Sequence, residues 1–107
     1  MMSAHRVGLG EGMLQSFDIS EYKLKYHDGY FDQASQVEVV LPLGKAFINP
    51  EQNHLVVGFP GADGIEFCLR AGVPGVWAFY PYEEDYIKVA GGLALLVSGW
   101  QSGSVTV

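Results

Sequence analysis

A single cysteine, only six lysines and arginines together, and no apolar run near the ~20 residues that cross a bilayer mark what this sequence has least of. One cysteine excludes an intramolecular disulfide and fits a reducing compartment, so a cytoplasmic location is expected. Phosphate binding draws on clustered Lys and Arg, and here they are scattered, which argues against nucleic acid as a direct partner. Without a long apolar run, no membrane span is expected. The opening residues, MMSAHRVGLGEGMLQ, have no apolar h-region and do not read as a signal peptide. His5, His27 and His54 have no CxxC, HxH or HExxH spacing around them, so no metal is expected. The glycines of GLGEG lack the spacing and the flanking strand and helix of a dinucleotide fingerprint, and no cofactor is expected. Internal repeats and low-complexity segments are also missing.

What remains is a chain of 107 residues, 49% apolar, which is one domain with an ordinary core. Its formal charge is −6. An acidic surface steers association toward a basic partner, and it also serves plain solubility.

The chain is organised around Gly58 to Pro81. Ile65 to Arg70 alternates apolar and polar side chains except at Cys68, and Val76 to Tyr80 is apolar on both faces, so two strands are expected. Between them Val73-Pro74-Gly75-Val76 has the chemistry of a type II turn, with Pro74 presetting φ and Gly75 accepting a positive φ. Gly58, Pro60, Asp63 and Gly64 form a glycine-bearing corner ahead of the first strand. Upstream, residues 1–16 read as a flexible or edge segment. Tyr22, Leu24 and Tyr26 alternate with Lys23 and Lys25, so Phe17 to Tyr26 reads as a half-exposed edge strand. His27-Asp28-Gly29 is a turn, and Tyr30-Phe31 returns to the core. Val37 to Leu41 and His54 to Gly58 are strands, separated by a turn over 49–53. Tyr86 to Ala90 is a further strand. Leu93, Leu96, Val97 and Trp100 share one stripe at helical spacing, which predicts a helix over 91–101 ended by Gly103. The expected fold is α+β: an antiparallel-rich mixed sheet, with the C-terminal helix packed on one face.

Chemistry-bearing residues are few. Cys68 with His54 or His27 as base and Asp63 as orienter would make a nucleophilic constellation. No spacing demands it, and a mid-strand cysteine among Ile65, Phe67 and Leu69 is ordinarily a small core residue. No catalytic residue is therefore assigned. Trp77, Phe79, Tyr80, Tyr82 and Tyr86 bracket Glu83, Glu84 and Asp85. Tyrosine beside charge is the composition of a binding hot spot, and it is equally the rim of a core. Tyr80, Tyr82, Glu83, Glu84 and Asp85 are the partner-binding candidates.

These residues carry a resemblance. His54 to Val107 resembles the C-terminal half of the SUKH superfamily, which contains a fungal cell-wall-synthesis regulator and many bacterial immunity proteins. The matching features are Leu55-Val56-Val57-Gly58, the loop with Asp63-Gly64, the strands Ile65 to Leu69 and Val76 to Tyr80, an acidic turn, and the ending VAGGLALLVSGW. Leu41-Pro42 corresponds to a leucine-proline region ahead of the sheet. Members of that group begin with helices carrying a tryptophan, and residues 1–36 show none of that. The resemblance implies one SUKH-like domain over 1–107, no catalysis, and a protein partner such as a basic toxin domain. The alternatives are a housekeeping homodimer and, further off, a small enzyme using Cys68.

Overall fold

The computed structural model describes residues 16–107. Its elements are α1 (Ser20–Lys25), β1 (Tyr30–Asp32), β2 (Val37–Val40), a 3-10 turn (Leu43–Lys45), β3 (Phe47–Asn49), β4 (His54–Gly58), β5 (Glu66–Arg70), β6 (Val73–Tyr80), β7 (Asp85–Ala90) and α2 (Leu93–Ser102). β3 to β7 form a five-stranded antiparallel meander in chain order, and β1 pairs with β2 in a separate antiparallel ribbon. The fold is α+β, as the sequence predicts. The expected edge segment over 1–16 lies, but for Ser16, outside the described residues.

Several local expectations are overturned, among them Phe31, expected in the core with Tyr30 but 42% exposed. Phe17 to Tyr26 is not a strand, and the sheet does not begin there. Ser20–Lys25 is helical, with Lys23 N–H donating to the Ile19 carbonyl. The stripe that decides it is Ile19, Tyr22 and Tyr26, at helical spacing and turned to the core. Leu24, which strand alternation would bury beside Tyr22, is 83% exposed.

Pro74 and Gly75 do not make the β5–β6 turn. They lie inside β6, and Ala71-Gly72 turns the chain. Gly75 has the expected positive φ, +100°, for another reason. Cys68 pairs with Trp77 but Arg70 pairs with Val73, so β6 carries extra residues here and bulges.

Gly58 is a strand residue, not a turn. A methyl group there would collide with the Val39 carbonyl oxygen, because β2 crosses the end of β4 at that point. Leu41 N–H donates to Val57 O at 2.7 Å and Phe59 N–H to Glu38 O at 2.9 Å, which ties the ribbon to the main sheet. Pro60 follows, buried, in the loop. Asp63 and Gly64 do turn the chain, both at positive φ and closed by Ile65 N–H to Ala62 O.

The core lies on one face of the five-stranded sheet. Leu55, Val57, Phe67, Val76 and Ala78 point into it and meet Leu93, Leu96 and Val97 of α2, Tyr22 of α1 and Val39 of β2. Gly99 within α2 is buried because the chain turns back at Gly103, φ +82°, and Val105 packs on it.

Candidate functional site

The sheet's other face starts from strand alternation. Residues 54 and 56 of β4, 66, 68 and 70 of β5, 77 and 79 of β6, and 86 and 88 of β7 all point away from the core. None of the described elements packs over this face, since α1, α2 and β2 all join the core on the other side. Several of its side chains pack on one another. His54 is 1% exposed.

His54 is the hub. Its Nε2 stands 2.7 Å from Glu66 Oε1 and its Nδ1 2.7 Å from the Tyr86 hydroxyl. A carboxylate only accepts, so Nε2 carries a proton and donates to Glu66, while Nδ1 pairs with the Tyr86 hydroxyl. Glu66 Oε1 also accepts from Asn49 Nδ2 at 3.2 Å. The His54 ring lies 5.0 Å from that of Phe79 and edge-on to Tyr86 at 5.6 Å. β4 and β7 are separated by two strands, about 14 Å in a flat sheet, so the sheet coils to bring these side chains together. Acid, imidazole and hydroxyl stand in the order of a catalytic triad. The Tyr86 hydroxyl, however, is pushed up from its ordinary range, chiefly by burial, so it holds its proton against the imidazole.

Cys68 lies beneath this layer, fully buried. Burial, with Glu66 adding to it, pushes its thiol up to about 12. A thiol of this kind is not a nucleophile near neutral pH. The other members of the sequence constellation are dispersed. His27 is exposed beside Asp28 in the turn after α1, at 3.4 Å, and Asp63 is exposed in the β4–β5 loop. His54 has both ring nitrogens engaged elsewhere.

Arg70 closes the face. Its guanidinium carbon lies 4.7 Å from the Trp77 ring centre and 4.1 Å from that of Tyr86. Lys88 stands cross-strand from Trp77.

The hairpin tip holds four of the five partner-binding candidates. Tyr80 pairs with Asp85 at the ends of β6 and β7, and Pro81 to Glu84 turn the chain, with Glu84 at φ +53°. Asp85 Oδ1 accepts the Tyr86 N–H at 2.9 Å and fixes the exit. Tyr82 is 86% exposed, and Glu83, Glu84 and Asp85 are exposed around it. Tyr80 is separate: it is half-buried and packs against the core.

A cavity of about 320 Å³ lies between α1, the β5–β6 corner and the start of α2, lined by Glu21, Tyr22, Arg70, Pro74 and Gly92 among others. Among the described residues, no group of three or more His, Cys, Asp or Glu is placed to hold a metal ion. Sequence reasoning missed Glu66, Arg70 and the coupling of His54 to Tyr86. Alternation places them all on one face, but only strand order makes them neighbours.

No protein-family model, no curated protein and no solved structure matches the chain.

Proposed function

We propose that this chain is a non-catalytic protein-binding module of the SUKH kind, an immunity protein or regulatory adaptor of the cytoplasm. Its β6–β7 tip meets a partner that is basic at that point, such as a toxin domain. The observation that carries the reading is the tip itself: Tyr82, 86% exposed, ringed by three carboxylates on a short hairpin turn. A tyrosine is a stiff anchor, and rim acids speed the approach of a basic surface. Two further features support it. Helix α1 stands ahead of the sheet, where members of the SUKH group carry helices. The buried, proton-holding thiol of Cys68 weighs against the enzyme alternative.

The test starts from affinity capture in the native host, with the partner identified by mass spectrometry. Stopped-flow binding is then compared across tip variants. Replacing Glu83, Glu84 and Asp85 together by Ser slows association several-fold at low salt, and Tyr82→Ala speeds dissociation. If both variants bind with unchanged rates, the tip is only a solvated turn and the reading fails.

A further inference from the structure

On the sheet face away from the core, burial exceeds the cover that the described elements supply. Val56 stands opposite Cys68 and Cys68 opposite Trp77, so all three share this face with His54 and Phe79. Val56 and Cys68 are fully buried, His54 is 1% exposed and Phe79 3%. Yet α1, α2 and β2 all pack on the opposite face. Side chains stand roughly perpendicular to a sheet, so neighbours shield one another's flanks more than their tips. Val56 and Cys68 are short, and the taller rings beside them, Phe47, Trp77 and Tyr86, are only half-buried. Burial of this depth needs a layer above it.

We propose that residues 1–15 lie across this face as a strap, with their apolar side chains over Val56, Cys68 and Phe79. The described chain begins in the right place. Ser16 lines a cavity with Arg70, Gly72, Val73 and Pro74, at the β5–β6 end of the sheet, and Arg70 belongs to the face itself. The length suffices. Five strands span about 19 Å, and 15 residues reach about 22 Å even at the short rise of a helix. The composition fits an apolar layer: Met1, Met2, Val7, Leu9, Met13 and Leu14 stand against Arg6 and Glu11 as the charged side chains. A tethered segment acts at an effective concentration on the order of millimolar, whereas a second copy brings a like net charge of −6. The strap seals the Glu66–His54–Tyr86 hydrogen bonds from water and bars small molecules from the imidazole. It leaves the hairpin tip free, so it acts independently of the tip's role toward a partner.

Methyl-labelled protein, with the whole chain present, tests this by NMR. Nuclear Overhauser contacts are expected from the methyl groups of Leu9, Met13 or Leu14 to Val56, or to the rings of Phe79 and Tyr86. Absence of such contacts overturns the inference, as do contacts confined to the core side at Leu96. Contacts seen only between differently labelled copies overturn it too, because a second copy then covers the face. Cys68, the only thiol, gives a separate readout. Leu9→Asp with Met13→Asp is expected to raise its labelling rate by a thiol reagent at least about tenfold, through local opening. Leu24→Asp, at an exposed position of α1, is expected to leave that rate unchanged. A rate indifferent to the strap variant, or raised equally by Leu24→Asp, overturns the inference. If the strap variant loses its fold by circular dichroism, the NMR contacts decide alone.

Discussion

At the scale of single residues, Glu21 supplies what α2 lacks in its own sequence. Gly92 stands at the N-cap with no side chain to offer, and the first turn contains no acid. The Glu21 carboxylate, 72 and 73 residues earlier, accepts from Leu93 N–H at 2.6 Å and Ala94 N–H at 3.1 Å. It satisfies two orphan donors and places negative charge at the positive end of the helix. Glu21→Ala is expected to lower stability by about 1–2 kcal/mol in urea denaturation. Glu21→Gln, which keeps an acceptor, costs less. Equal losses in both would mean that packing, not capping, is what Glu21 provides. Gly92 has its own reason to be glycine, since a Cβ there would stand 2.9 Å from Glu21 Oε1.

Among the elements, α2 and the β2–β4 crossing hold the two layers together. Leu96 is fully buried against the sheet face, so Leu96→Ala is expected to cost roughly 2–5 kcal/mol. A loss below about 0.5 kcal/mol would mean that the stripe does not bear on the core. The crossing depends on Gly58. Even one methyl group would push into the Val39 carbonyl, which is backbone and cannot swing aside. Gly58→Ala is therefore expected to destabilise by about 1–3 kcal/mol, whereas alanine at exposed Gly44, which meets nothing, is expected to change little. Thermal melts of the two variants side by side check this. The helix stripe and most strands were legible in the sequence because their periods run long enough to be read. α1, with only six residues, was not. One and a half turns cannot establish a 3.6 period against the alternation of Tyr22, Leu24 and Tyr26.

For the molecule as a whole, the buried acids of weak ionisation set how stability answers to pH. Cys68 is pushed up from 9.0 to about 12 by burial first and Glu66 second. Burial also raises the phenol of Tyr22, which donates to the Leu41 carbonyl, and that of Tyr86. The unfolded chain ionises first in each case, so above the ordinary thiol value it binds fewer protons than the native state. The Cys68 contribution is complete below pH 9.0 and is lost as pH rises toward about 12. Urea midpoints are expected to fall across that range, and Cys68→Ala to flatten part of the fall. A slope unchanged by Cys68→Ala would show that the thiol is not desolvated in the folded protein.

By itself the sequence determined the α+β class, five of the seven strands in outline, the C-terminal helix with its Gly103 stop, and the acidic tip. These are local properties: period, turn chemistry and composition act over a few residues. Only the tertiary structure decided that Pro74-Gly75 form a bulge and that Gly58 marks a crossing. Both depend on what lies opposite in space: Leu69 and Arg70 in one case, Val39 in the other. The sheet face away from the core belongs to the same class. Glu66 and Tyr86 lie 12 and 32 positions from His54, and their hydrogen bonds to it exist because strand order and coiling bring them within 2.7 Å. Alternation gives each strand two faces; which face meets the helices, and which side chains then converge on the other, is fixed only when the strands pair.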